Sequence, residues 1–305
     1  MTPVPPTHVP VLPVETLTLL EPASGEVWVD ATTGLGGHTR LLAERVFPNG
    51  RVIALDQDPA MLELARKSVP HGLPIVWMHA NFDQLNAVLA KTGGQKVDGL
   101  LADLGICSAQ LDDPARGLSF HGGGPLDMRL DPRISESAAD LVNRLSERDL
   151  ADLIWRYGEE RHSRRIAKRV VEERRREAFQ TTERFAELVR RCVPRDPKSR
   201  IDPATRTFQA LRIAVNDELG ALERLLTELP KVLKPGGRVA IISFHSLEDR
   251  LVKRAFQDRA VWQPLTKKPV MAGDEEVRDN PRARSAKLRA ARRLADGGPG
   301  QKGSG

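Results

Sequence analysis

Apolar positions in the first hundred residues come in short runs separated by amphipathic stretches. Positions 26–29 form one run, and a loop carrying Gly34, Gly36 and Gly37 follows. Leu41, Leu42 and Val46 then share one face of a helical pattern. A Pro48-Asn49-Gly50 turn leads into a buried strand over 51–55 that ends at Asp56. Asp58 and Pro59 are the residue types of an N-cap and a first helical position. Met61, Leu62, Leu64 and Ala65 give that helix its apolar stripe. Third and fourth strands are expected over 74–78 and 98–103. Strands alternating with helices predict an α/β fold built on a parallel, doubly wound sheet.

The pattern changes after Asp103. No run over 111–207 reads as a buried strand. Gly122-Gly123-Gly124-Pro125 marks a loop, and Leu141, Leu145, Leu150, Leu153 and Ile154 keep helical spacing. Positions 156–176 read as one long, mostly basic helical segment. The α/β pattern resumes with a helical region over 208–233, a Lys234-Pro235-Gly236-Gly237 turn, a buried strand over 238–244 and a helix over 246–256. The expected division is a core over 1–110 and 208–277, an inserted helical subdomain over 111–207 and a tail over 278–305. That tail is basic up to Arg293, and its Gly/Ser-rich end, 297–305, is expected to be disordered.

Composition narrows the class. Of 305 residues, 40% are apolar and 29% charged, enough apolar side chain for a sizeable core. The net charge of +6 and a pI of about 9.5 suit an anionic partner, nucleic acid before lipid, or equally a solvated surface with excess Arg. Two cysteines, Cys107 and Cys192, cannot build a disulfide framework or a zinc site, and no metal is expected. The proline-rich start predicts no signal peptide. The longest apolar stretch, near 239–244, is too short for a membrane span. A cytosolic protein is expected.

The glycine loop follows a strand and opens a helix, where backbone N–H groups allow close ligand approach. Asp56 ends the next strand about twenty residues on, placed to accept the hydroxyls of a ribose. A dinucleotide fingerprint wants glycine at the sixth position from Gly34, where Thr39 stands. Gly-x-Gly-Gly after Asp30 resembles instead the class I S-adenosylmethionine methyltransferases. In that fold Phe82, after the third strand, flanks the adenine, and stacking or a core role fits it equally. Asp103 closes the fourth strand, at the reacting end of the cofactor.

Taken together, the motifs resemble the bacterial 16S rRNA cytosine-N4 methyltransferase family along most of the chain. They include His8-Val9-Pro10-Val11-Leu12, Asp30 through His38, and Asp103-Leu104-Gly105 with Gln110-Leu111-Asp112-Asp113. Arg116 to Phe120, Asp127 to Asp131, Gly158 to Arg161 and Thr205 to Ile213 follow. The most specific is Ile242-Ser243-Phe244-His245-Ser246-Leu247-Glu248-Asp249-Arg250, and Asn280 to Arg289 comes last. The resemblance implies S-adenosylmethionine as cofactor and N4 methylation of a cytidine in the decoding region of 16S rRNA. It carries cofactor contacts onto Gly36, Gly37, His38, Asp56, Phe82, Asp103 and Gln110. Cys107, Ala109 and Asp202 depart from the family pattern, which puts the loop shape and one RNA contact in doubt.

The exocyclic amine of cytosine is a poor nucleophile, so transfer needs in-line positioning and acceptors for its N–H hydrogens. Asp103 and His245 are the catalytic candidates, with Ser243 beside His245. Asp103 alternatively binds the cofactor's ammonium group. The 161–176 run fits RNA contact and a solvated, ion-paired helix equally. The 278–293 run, with one acid, is the favoured RNA surface. Two other readings stay open: an RNA-binding ribosome-assembly factor without catalysis, and a nicotinamide oxidoreductase, which Thr39 disfavours.

Overall fold

The computed structural model describes residues 9–120, 122–195 and 201–295. His8 and the 297–305 tail fall outside them. In chain order the elements begin α1 (Pro13–Leu20), β1 (Val27–Asp30), α2 (Gly37–Val46), β2 (Arg51–Asp56), α3 (Pro59–Ser68), β3 (Ile75–His79), α4 (Leu85–Lys91) and β4 (Val97–Asp103). Helices α5 (Ser108–Asp112), α6 (Ala138–Arg144), α7 (Glu147–Gly158), α8 (Ser163–Arg174), α9 (Thr182–Cys192) and α10 (Thr205–Asn216) come next. The chain closes with α11 (Glu218–Val232), β5 (Leu233–Ser243), α12 (Ser246–Ala255), β6 (Trp262–Pro264), α13 (Asp274–Asp279) and β7 (Lys287–Arg293). It forms two compact units. One comprises 1–105 and 220–305, the other Ile106–Leu219.

The first unit is a seven-stranded sheet in the order β3-β2-β1-β4-β5-β7-β6. Strands β1 to β5 pair in parallel, and β7 runs antiparallel between β5 and β6. Alternate residues of each strand enter opposite cores. Val29, Leu100 and Ile241 pack with Leu85, Leu225 and Val252 on one face. Trp28, Leu101 and Ile242 pack with Leu20 and Leu42 on the other. A Cβ on Gly99 would lie 2.2 Å from the Trp28 ring, so β4 needs glycine there. Asp58 caps α3 as its residue type predicts: its carboxylate accepts the Ala60 N–H at 3.1 Å, with Pro59 in the first turn.

Five expectations need correction. The 278–293 run is no appended tail. Its last seven residues are β7, an interior strand whose Leu288, Ala290 and Ala291 are buried. The small alanines let it pack on both faces, and two of its three arginine side chains find partners. Arg289 pairs with Asp249 at 2.6 Å, and Arg293 donates to the Leu233 carbonyl at 2.8 Å. The Lys-Pro-Gly-Gly turn lies inside β5. Pairing with β4 jumps from Val97↔Leu233 to Gly99↔Arg238, so the intervening residues bulge out, with Gly236 at φ +82°. The helical region expected over 208–233 breaks at Asp217, whose φ of +48° ends α10.

The second unit is helical, with no named strand among its described residues. Phe179, Phe185, Ile154, Ile166 and Leu211 form its core. It is larger than the 111–207 expected from sequence. Phe208, Leu211 and Val215 belong to this core, so α10 is part of the helical unit. The expected single helix over 156–176 is two helices. Helix α7 stops at Gly158, followed by Glu159 in the left-handed conformation at φ +49°. A Cβ on Gly158 would sit 2.5 Å from the Arg206 carbonyl oxygen, so α7 and α10 touch there backbone to backbone.

Candidate active site

Strands β2, β1 and β4 are neighbours, and each ends in an aspartate: Asp56, Asp30 and Asp103. Strand order reverses between β1 and β4, the point at which open α/β sheets bind ligands. The three carboxylates thus line one edge of the sheet at its switch point.

Asp30 is fully buried. Its Oδ2 accepts the Thr39 hydroxyl at 2.6 Å and its Oδ1 the Thr32 N–H at 3.2 Å. Burial pushes its pKa up to about 6, against the pull of those two hydrogen bonds. Asp56 accepts the Gly34 N–H at 2.8 Å and the Asp58 N–H at 2.9 Å. Burial pushes it up to about 7, and the nearby charges of Asp58 and Asp30 add to the rise. Asp103 is held by its own N–H, which donates to the Thr32 hydroxyl at 2.6 Å. Burial, then the charges of Asp30 and Glu248, raise its carboxyl well above the usual range. Its buried Oδ1 accepts no hydrogen bond among the described residues.

The glycine loop joins these groups. Gly36 has φ +84°, and a Cβ there would lie 2.6 Å from Val69 Cγ2. Packing of the loop on α3 therefore demands glycine at 36, beyond any demand from a ligand. Gly37 opens α2 against the Pro10 ring, 3.1 Å from where a Cβ would stand. His38, in the first turn of α2, is buried with Nε2 3.9 Å from Asp103 Oδ2. Phe82 is half-buried and packs against the sheet core, next to Asn81, whose Nδ2 donates to Gln57 Oε1 at 3.0 Å.

Two of the sequence candidates have structural work of their own. His245 is the N-cap of α12. Its Nδ1 accepts the Glu248 N–H at 3.4 Å, and Glu248 in return accepts the Phe244 and His245 N–H groups at 2.9 and 3.3 Å. Gln110 belongs to the helical unit, where it is buried and its Oε1 accepts the Cys107 N–H at 3.0 Å, closing the first turn of α5. Ser243, beside His245, is buried with its hydroxyl directed to the Lys287 carbonyl on β7 at 3.3 Å. Sequence reasoning passed over Thr32 and Thr39 as site residues. The available signal was an acid at a strand end followed, nine residues on, by a hydroxyl in the first turn of a helix.

Buried carboxylates that resist ionisation suit a ligand that brings positive charge and hydroxyl donors. S-adenosylmethionine brings a sulfonium, an ammonium and a ribose diol, which suit a row of carboxylates at strand ends. A pyrophosphate here would meet three acids. The sheet order, the loop and the carboxylate edge define a class I S-adenosylmethionine-dependent methyltransferase. A family model described as the MraW methylase family matches residues 6–294, and the chain belongs to that family. It is 53% identical over 288 residues to "Ribosomal RNA small subunit methyltransferase H" of Sorangium cellulosum, covering 94% of this chain and 91% of the relative. Relatives of the same name share 51% identity in Deinococcus radiodurans (95% and 92% covered) and 47% in Geobacter sulfurreducens (94% and 99%).

Proposed function

We propose that this protein methylates N4 of a cytidine in the decoding region of 16S rRNA, within the small ribosomal subunit, in the cytoplasm. The family and the names of its relatives support the substrate. The observation that carries the chemistry is Asp103 Oδ1, buried at the switch point with no hydrogen bond among the described residues. No helix among the described residues is long and apolar enough to cross a membrane.

Bound S-adenosylmethionine supplies an electrophilic methyl group. Asp56 holds the ribose hydroxyls, Gly36, Gly37 and His38 form the loop around the cofactor's other end, and Phe82 flanks the adenine. Asp103 accepts an N–H hydrogen of the target amine, which localises the nitrogen lone pair toward the methyl group. Transfer would form the N–C bond and break the methyl–sulfur bond, whose electron pair stays with sulfur, while the nitrogen's proton passes to Asp103, made more basic by burial and by the charges of Asp30 and Glu248. The target base has to leave its stack for the amine to reach this position. His245 supports the site by capping α12.

The test is methyl transfer from labelled S-adenosylmethionine to small subunits isolated from cells that lack the protein. Label in 16S rRNA is expected. A chain that binds both the cofactor and the subunit yet transfers no label is an assembly factor, and the proposal fails.

A further inference from the structure

With Lys287–Arg293 built into the sheet, the basic surface has to be sought elsewhere, and α8 supplies one. Its cations divide into two sets. Arg169 is neutralised by Glu172 and Glu173 at 2.9 and 3.3 Å, Arg165 donates to the Arg191 carbonyl at 3.5 Å, and Arg174 donates to the Val142 carbonyl at 2.7 Å. Arg164, Lys168 and Arg175 are exposed, and none of their side chains forms a hydrogen bond or ion pair with another described residue. Exposed Arg161 stands just before the helix in the same condition.

The spacing of the second set is the point. Positions 164, 168, 171 and 175 fall on one helical face at i, i+4, i+7 and i+11. The C-cap, Arg175, keeps helical dihedrals, so the stripe runs unbroken for about 16 Å. It carries three cations and Val171, and no acid. The buried residues Ser163, Ile166, Ala167 and Val170 lie on a different face, so the stripe points away from the core. On a merely solvated helix, acids and bases intersperse and pair at i+4. Here the acids of α8 are drawn to Arg169, and the neighbouring face is left uniformly positive.

We propose that Arg164, Lys168 and Arg175 hold the sugar-phosphate backbone of the RNA substrate. This rests on the rRNA methyltransferase reading. A polyanion with regularly spaced phosphates complements a linear row of unneutralised cations, and each phosphate contact releases a counterion.

The experiment compares the full-length wild type with Arg164→Gln/Lys168→Gln/Arg175→Gln. A control, Arg45→Gln/Lys91→Gln/Lys96→Gln, removes the same net charge from exposed positions of the sheet unit. Binding to isolated small subunits and to protein-free 16S rRNA is measured across salt concentrations, and methyl transfer is measured in parallel. For both ligands the stripe variant should lose about 2 from the magnitude of the log–log salt slope. The control should keep the wild-type slope. In transfer, the stripe variant should raise KM for subunits and leave kcat unchanged. Equal slopes for stripe and control overturn the proposal. So does a loss seen with subunits and absent with naked rRNA, which would assign the stripe to a ribosomal protein. Wild-type transfer of label to 16S rRNA upholds the function in either case, so the two ideas fail separately.

Discussion

The Thr39 hydroxyl donates a 2.6 Å hydrogen bond to Asp30, and both residues are fully buried. The bond ties the first turn of α2 to the end of β1 and so fixes the glycine loop between them. Asp30 also accepts the Thr32 N–H, and the Thr32 hydroxyl accepts the Asp103 N–H. One chain of hydrogen bonds thereby links the loop to the end of β4. Thr39→Val leaves a buried carboxylate without its hydroxyl donor, and should cost about 1–3 kcal/mol of stability. Denaturant unfolding checks this; an unchanged midpoint would mean that the loop is held by other contacts.

Asp56→Ala should weaken S-adenosylmethionine binding by about 2–3 kcal/mol, since it removes charge-assisted hydrogen bonds to the ribose. Calorimetric titration reads the affinity. Wild-type affinity in a folded variant would move the cofactor away from β2.

Asp30 and Asp56 hold protons up to pH values of about 6 and about 7, well above their ordinary value of 3.8. Between that value and neutrality the folded chain binds protons that the unfolded chain has released. The contribution of these groups to stability therefore declines as pH rises through that window and levels off above about 7. Ligand-free protein should lose thermal stability from about pH 5 to pH 7, and Asp56→Asn should lose less. Parallel profiles for the two proteins would contradict the assignment. Cofactor binding in the same window should release protons, detectable by titration in buffers of different ionisation enthalpy.

His245→Ala should lower stability by about 1 kcal/mol through the lost cap, and His245→Asn, which also caps, should restore it. Methyl transfer by His245→Asn at near wild-type kcat is expected. Abolished kcat in this variant at undiminished stability would return His245 to the chemistry.

Ending the chain at Asp279 deletes β7 from between β5 and β6. Loss of cooperative unfolding is expected, with exposure of Ala240 and Ile242 on β5. A truncated chain that unfolds as sharply as the full one would show that β7 is dispensable.

The parallel sheet was legible because each central strand is a continuous apolar run closed by an acid, as in β2. The carboxylate edge was legible for the same reason at Asp56 and Asp103. β7 was hidden because a strand of Arg and Ala reads as a basic tail. Nothing local reveals that Asp249, forty residues earlier, takes the Arg289 charge. The break between α7 and α8 was hidden because Glu159 has no sequence mark of a left-handed residue. It is set by the approach of α10 to Gly158. The cap made by His245 was missed because histidine is an uncommon N-cap type, although Glu248 three residues on gave the capping-box spacing.

The central claim is a methyl group on N4 of a cytidine, placed there through Asp103. The direct measurement maps modified nucleotides in 16S rRNA by mass spectrometry from cells lacking this protein, then complemented with wild type or Asp103→Ala. The account predicts one decoding-region cytidine that gains an N4 methyl with wild type and stays unmethylated with Asp103→Ala. An Asp103→Ala strain with that cytidine fully methylated, or a wild-type strain with the added methyl on another atom, would contradict it.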